Sequence, residues 1–326
     1  AGLTFQFSRP GSRLYILDHP TGRSLHSQAV PRSGGVAIVL SILLIGGALC
    51  ALHGEIPMGF AWLIVALLLV AGVGFVDDRR SLSPLLRLFV HGIVGVLVLM
   101  GGFVFEHWGL PGWVFTWPHG LGVLVTWLFV VWMINLYNFM DGMDGFAGGM
   151  TCIGFGSFAL IGGLAGDTLF ALLSLVIAAA ALGFLCFNFP PARIFMGDAG
   201  AYSLGLLAAG FTLWGMRGGL FPLWVPVLIF SPFIADATFT LIGRALRGAP
   251  VWEAHRTHVY QRLVQAGFGH RKTVLWEYAL MFICATAAIS GLRAPELIQW
   301  LILAGGAFLY VALLVWSGYR AALSPT

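Results

Sequence analysis

The sequence predicts an all-α polytopic integral membrane protein, and three observations carry that expectation. Of its 326 residues, 59% are hydrophobic and only 9% are charged, far below the roughly 25% charge of a soluble domain. The apolar residues arrive in runs of about 20, the length of a helix that crosses a bilayer. The basic residues gather between alternate runs. Length alone would allow about two soluble domains, but a single membrane domain over residues 1–326 accounts for all three observations.

Ten spans are predicted, near 34–52, 58–76, 85–105, 119–138, 146–165, 168–187, 199–215, 221–242, 273–291 and 297–317. If they alternate, segments 1–33, 77–87, 135–145, 188–198, 243–272 and the tail share one face, with 15 of the 17 basic residues. Arg217 and Arg293 fall opposite. The positive-inside rule places the first set in the cytoplasm. Opposite connections such as Gly54-Glu55-Ile56-Pro57 and Gly166-Asp167 are brief, and 106–118 is rich in Trp, Gly and Pro, as interfacial segments are. Residues 1–33 are too polar and arginine-rich for a signal peptide or a span, and the first residue is not Met, so a further span upstream is expected. Cys50, Cys152, Cys186 and Cys284 lie inside apolar runs without CxxC spacing and read as small core residues. Glycine pairs such as Gly101-Gly102, Gly148-Gly149 and Gly305-Gly306 read as sites of close helix packing.

Seven aspartates and one glutamate fall on or near the inner face: Asp18, Asp77, Asp78, Asp141, Asp144, Asp198, Asp236 and Glu253. Glu55, Glu106, Asp167 and Glu296 fall on the outer one. Carboxylates at span ends are costly unless paired or metal-bound, so the inner face is the candidate site.

Four groups make it up. Asp77 and Asp78 close one span, with Arg87 opening the next; adjacent carboxylates repel, so a fold that keeps both supplies a cation or arginines. The alternative is a solvated helix end neutralised by Arg79 and Arg80. Asn135, Asn138, Asp141 and Asp144 recur at three-residue spacing, with Gly142 and Gly145, as a polar stripe leaving a span. Such amides and carboxylates suit a base edge or sugar hydroxyls, and a capping turn is the alternative. Asn188 through Gly200 ends just before a span. There Asp198 either caps the coming helix or, with Gly197 and Gly200 allowing close approach, meets a metal-bridged phosphate at the helix N-terminus.

The fourth group is the one long inner loop, with Glu253, His255, Arg256, His258, Arg262, His270, Arg271 and Lys272. Its cations and donors suit a diphosphate, with an anionic-lipid contact as the alternative. Two polar residues lie at or within spans. His91 is read as satisfied by a backbone carbonyl, and Asp236 as a stronger candidate about one turn from the inner end.

In this order the groups resemble the polyprenyl-phosphate N-acetylhexosamine-1-phosphate transferase family. The resemblance begins at Asp18-His19-Pro20, Arg23-Ser24-Leu25-His26 and Pro31-Arg32-Ser33-Gly34-Gly35, and continues through Asp77-Asp78, the Asn-Asp-Gly stripe and Phe195-Met196-Gly197-Asp198. It implies ten or eleven spans in a bacterial inner membrane with the active site cytoplasmic. The implied reaction moves an N-acetylhexosamine 1-phosphate, of N-acetylglucosamine or a deoxy relative, from a UDP-sugar to undecaprenyl phosphate. It releases UMP and starts O-antigen or other envelope polysaccharide.

By the same resemblance Asp198 binds magnesium, with manganese as a substitute, and Asp77 or Asp78 binds or deprotonates the lipid phosphate. Asn138, Asp141, Asp144 and Asn188 line the nucleotide and metal pocket, His255, Arg256 and His258 serve the nucleotide-sugar, and Arg32 and Arg87 hold phosphate. The implied partners are undecaprenyl phosphate, a UDP-N-acetylhexosamine and membrane lipids, with a homodimer as the candidate assembly and no nucleic acid. Where the family's usual motif has two further histidines after His258, this chain has Tyr260 and Gln261, like the subgroup that starts O-antigen chains with deoxygenated sugars. A transporter or flippase is the alternative of another class, although its ionisable residues belong near the bilayer midplane. A related transferase with another donor, such as phospho-MurNAc-pentapeptide, shares the same metal chemistry.

Overall fold

The computed structural model describes residues 1–12, 14–18, 20, 29–54, 56, 59–249 and 255–323. A short helix α1 (Gly2–Phe7) and a two-residue antiparallel pair, β1 (Leu17–Asp18) with β2 (Val30–Pro31), lead into the helical bundle. Its first helices are α2 (Gly34–His53), α3 (Phe60–Arg80) and α4 (Pro84–Met100). A hairpin of β3 (His107–Leu110) and β4 (Trp113–Thr116) precedes α5 (His119–Met140), α6 (Phe146–Ala165), α7 (Thr168–Asn188) and α8 (Asp198–Arg217). The chain closes with α9 (Trp224–Ile229), α10 (Ser231–Leu246), the short α11 (Val259–Leu263), α12 (Gly269–Gly291) and α13 (Glu296–Leu323).

Among the described residues, eight helices are long and apolar enough to cross a membrane, and α4 is a shorter apolar helix. The expected all-α polytopic membrane architecture is therefore the observed one. In such a bundle the apolar residues face lipid as well as the interior, so burial, and not hydrophobicity, identifies the centre. That centre is α8, buried along almost its whole length and packed against α3 and α5. Small residues make this possible. A Cβ on Gly74 of α3 would lie 2.6 Å from the Ala199 backbone, so the two helices cross where no side chain fits.

The structure corrects three expectations. The predicted span 221–242 is two helices broken at Phe230, because Pro232 lacks an N–H and its ring excludes the carbonyl four residues back. Ser231 Oγ donates to that carbonyl, Leu228 O, at 2.6 Å and so satisfies it. The second helix, α10, runs on to Leu246, which leaves Asp236 buried well inside it and not about one turn from its end. Cys186 is exposed and Cys152 half-buried, so only Cys50 and Cys284 are core residues. Glu277, which belongs to neither face, sits half-buried within α12 beside a groove that Phe239, Ile283 and Leu313 also line.

The aromatic segment expected at an interface is the β3–β4 hairpin, with Trp113, Val114 and Phe115 exposed and Trp108 stacked on Trp117. It lies at the end of the bundle opposite the arginine-rich loops.

The α3–α8 crossing yields a test. Gly74→Val is expected to lower the thermal unfolding temperature in detergent, at a cost of about 1–3 kcal/mol for overpacking. Gly72→Val should not, because nothing lies within 4 Å of a Cβ there. Equal unfolding temperatures for the two variants would contradict this packing.

Candidate active site

Backbone pairing brings two distant motifs together before any side chain is considered. Arg32 N–H donates to Ile16 O at 2.8 Å, extending the β1–β2 pair. Phe195 N–H donates to Pro31 O at 2.7 Å, while Gly34 and Gly35 donate to the carbonyls of Phe195 and Met196 at 3.0 and 2.8 Å. The Pro31–Gly35 segment thus runs alongside Phe195–Met196 and fixes where α8 begins. Gly197 enters α8 with φ +75°, and a Cβ there would fall 2.7 Å from an Asp78 carboxylate oxygen, so only glycine fits.

The two adjacent carboxylates at the end of α3 are held differently. Asp78 Oδ1 accepts the Asp198 N–H at 2.9 Å and Oδ2 accepts the Ala199 N–H at 3.2 Å. Asp78 therefore caps α8 from another helix, satisfying donors that a helix N-terminus leaves open. Arg32 lies beside it, with Nε 3.8 Å from Oδ1 and Nη2 donating to the Asp78 carbonyl, and it also pairs with Asp18 at 3.3 Å. Asp77 Oδ1 accepts the Leu82 N–H at 2.7 Å, and Oδ2 accepts from the Tyr202 hydroxyl at 2.9 Å and from Arg87 Nη1 at 3.3 Å.

The neutralising arginines are thus Arg32 and Arg87. Arg79 instead lies over the Phe75 ring at 4.4 Å, and Arg80 is exposed, so the alternative of self-neutralisation by these two fails. The alternative for Asp198 fails too. With Asp78 as the cap, the Asp198 side chain makes no capping bond, and its Oδ1 instead accepts from Asn138 Nδ2 at 2.6 Å.

The Asn-Asp-Gly stripe divides, with Asp144 joining Asn188 of the third group. Asn138 and Asp141 face the Asp198 cluster. Asp141 receives no hydrogen bond from the described residues; burial pushes its carboxyl well above the usual carboxylate range, and the charges of Asp198, Asp78 and Asp144 add to that. Asp144 and Asn188, by contrast, join loops. Asp144 accepts from the Ala192 N–H at 3.0 Å and lies 3.1 Å from His270 Nδ1. Asn188 Oδ1 accepts from the Gly145 N–H at 2.8 Å, and its Nδ2 donates to Ile194 O at 2.9 Å. With both polar atoms of Asn188 engaged by backbone, it braces the pocket wall.

Asp236 organises the fourth group. Its carboxylate accepts the N–H groups of Val259 and Tyr260 at 2.9 and 3.1 Å and the Thr240 hydroxyl at 3.0 Å, and lies 3.2 Å from His258 Nδ1. His258 is buried and stacks with Phe139 and with Tyr260. The two departures from the histidine motif have structural uses: Tyr260 OH donates to Phe139 O beneath the stripe, and Gln261 Oε1 accepts the His258 N–H. Burial, followed by His258 and Arg244, pushes the His255 imidazole down to about 4, so near neutral pH it brings hydrogen bonding to the site and no charge. Arg256 is exposed. Glu253 and the His19 and Arg23–His26 positions lie outside the described residues.

Two members of the site escape a linear reading. Tyr202 stands one helical turn beyond Asp198, a spacing that puts both on one face of α8. His270, grouped in the sequence with the phosphate-binding cations, is instead the partner of Asp144.

Among the described residues no cluster of three or more His, Cys, Asp or Glu is arranged to hold a metal. What the site offers is Asp141 and the second oxygen of Asp198, beside carboxylates that crowd one another. That set fits a hard divalent cation, which takes few protein oxygens and completes its shell with phosphate and water.

A stability measurement tests this electrostatic picture. The folded protein keeps a proton on Asp141 at pH values where the unfolded chain has lost it, so stability falls as pH rises from the usual carboxylate range toward the raised folded value. Measured between about pH 5 and 8, the stability of the wild type relative to Asp141→Asn should decline toward high pH in EDTA and decline less in millimolar magnesium. A difference that does not change with pH would locate the strain elsewhere.

With this geometry in view, comparisons place the chain among known proteins. A family model described as Glycosyl transferase family 4 matches residues 60–216, from α3 through nearly all of α8. A probable undecaprenyl-phosphate N-acetylglucosaminyl 1-phosphate transferase of Bacillus subtilis (strain 168) is 32% identical over 283 residues, covering 85% of this chain and 77% of the relative. A decaprenyl-phosphate N-acetylglucosaminephosphotransferase of Mycobacterium tuberculosis (strain ATCC 25618 / H37Rv) is 33% identical over 318 residues, with 86% and 77% covered. The undecaprenyl-phosphate alpha-N-acetylglucosaminyl 1-phosphate transferase of Escherichia coli (strain K12) is 26% identical over 302 residues, with 88% and 80% covered. The clustered motifs and these relatives agree, and the chain belongs to glycosyl transferase family 4, among the polyprenyl-phosphate N-acetylhexosamine-1-phosphate transferases.

Proposed function

We propose that the protein transfers an N-acetylhexosamine 1-phosphate from a UDP-sugar to undecaprenyl phosphate, at the cytoplasmic face of a bacterial inner membrane. The observation that carries this reading is that Arg32 and Arg87, paired with Asp78 and Asp77, stand beside Asp198 and Asp141 at the arginine-rich end of the bundle. A soluble anionic donor and a membrane-bound phosphate both reach such a place. The relatives' printed names supply the acceptor class and N-acetylglucosamine as the first sugar to test. Initiation of O-antigen or another envelope polysaccharide is the use that fits a lipid-linked diphosphate sugar.

In the reaction an oxygen of the acceptor phosphate attacks the phosphorus attached to the sugar. The new bond joins the two phosphates, the bond to the UMP oxygen breaks, and UMP leaves with its electron pair. Phosphate monoesters lose their second proton near pH 6, so the nucleophile is largely ionised at neutral pH and needs no strong base. That suits the bonding seen here: Asp78 serves as the α8 cap and Asp77 already accepts three hydrogen bonds. Their part is to position Asp198 and Arg87. Arg32 and Arg87 hold phosphate oxygens in line, while Asn138 fixes the Asp198 carboxylate. Asp198 and Asp141 would hold a divalent cation, magnesium or manganese, which would supply charge neutralisation. Asp236 holds the His258 loop against the stripe, where His255 and Arg256 flank the donor.

Purified protein with magnesium, undecaprenyl phosphate and a panel of UDP-N-acetylhexosamines should release UMP with at least one donor. Asp198→Asn should lower that rate by about a hundredfold or more without lowering the unfolding temperature. Folded protein that releases no UMP from any donor would sink the reading, and near-normal turnover in Asp198→Asn would remove Asp198 from the metal role.

A further inference from the structure

Tyr202 is almost wholly buried on α8, yet its hydroxyl reaches the most polar corner of the molecule. It donates to Asp77 Oδ2 at 2.9 Å and lies 3.4 Å from Arg87 Nη1, which donates to it and to the same Asp77 oxygen at 3.3 Å. Three helices meet in this triangle: the end of α3, the first turn of α4 and the first turns of α8. We propose that Tyr202 is a positioning residue, which with Asp77 forms a clamp that holds Arg87 in the orientation that binds the acceptor's phosphate. The proposal rests on the function given above.

The chemistry of the three groups carries it. A carboxylate repels a phosphate, so Asp77 contacts the acceptor only through a cation. With three donors on about four lone-pair positions, its capacity is nearly filled by the protein. Arg87 is the opposite case. A guanidinium has five N–H groups in a rigid fork, and Asp77 and Tyr202 engage only Nη1, while about a third of the side chain is exposed. The remaining donors suit two phosphate oxygens. The Tyr202 hydroxyl closes the triangle because it donates to one partner and accepts from the other, and a phenyl ring can do neither.

The tyrosine is itself held. His91, one turn beyond Arg87 on α4, packs edge-on against its ring with centroids 4.7 Å apart and planes at 71°. His91 is fully buried, with Nδ1 3.2 Å from the Asn135 amide nitrogen. That donor puts the imidazole proton on Nε2, which has no hydrogen-bond partner among the described residues. The expected backbone carbonyl is absent, so the position serves packing against Tyr202 at the expense of a hydrogen bond. Asn135, though part of the polar stripe, thus serves the clamp and not the Asp198 cluster.

The test pairs kinetics with binding. Tyr202→Phe keeps the ring and its contact with His91 but removes the hydroxyl. UMP release is measured with undecaprenyl phosphate and donor varied separately, and binding of undecaprenyl phosphate alone is followed by native mass spectrometry. The acceptor KM and dissociation constant should each rise about tenfold, with donor KM unchanged. Arg87→Lys should raise the same two quantities, and the double variant should show little further loss, because both changes break one unit. A tyrosine that only fills space would move neither quantity or would raise both KM values alike, and either result would overturn the clamp. Wild-type protein that binds the lipid phosphate but releases no UMP would defeat the function reading alone, while the binding comparison would still decide the clamp. Wild-type protein that neither binds nor transfers would sink both.

Discussion

A carboxylate on one helix satisfying the first N–H groups of another is the interaction on which this site turns. Asp78 reaches from the end of α3 to the start of α8, and the helix dipole adds to the two hydrogen bonds. The contact requires the helices to touch, which Gly74 permits, and requires a chain entry that only Gly197 adopts. Because the cap comes from elsewhere, Asp198 is released from the role that its position at a helix start would otherwise give it. Its carboxylate turns to Asn138 and toward Asp141. The capping bonds and the carboxylate left beside Asn138 thus belong to two aspartates 120 residues apart.

A second division runs through the loops. Asp144, Asn188, Asp236, Tyr260 and Gln261 are polar and lie near the site, yet each is bonded to backbone or to a neighbouring side chain. They keep three loops in register. An active site at the end of a bundle has no sheet to stiffen it, and buried hydrogen bonds of this kind supply the rigidity that positioning requires.

Most of the helices were legible in the sequence because bilayer thickness leaves a direct trace in the length of apolar runs. The break at Phe230 was not, since a continuous apolar run reads the same whether or not its helix is interrupted. Pro226 and Pro232 were the signal. The members of the site were mostly legible as residue types, and their partners were not. Arg79 and Arg80 stand beside Asp77 and Asp78 in sequence, but Arg79 turns back over the Phe75 ring and Arg80 is exposed. The partners that matter, Arg32 and Arg87, arrive through a β-pair and a helix turn. Tyr202 resembled any aromatic residue in an apolar run until α3 and α4 were placed beside it.

The aromatic hairpin and the arginine-rich loops occupy opposite ends of the same bundle. Trp113 and Phe115 favour the headgroup layer on one side, and basic side chains favour it on the other. A body anchored at both surfaces has little freedom to rise or sink in the bilayer. The depth of Arg87 and Asp198 relative to the lipid phosphates is then a property of the whole span length. A soluble protein has no such reference plane; here the thickness of the fold fixes the height of these polar groups.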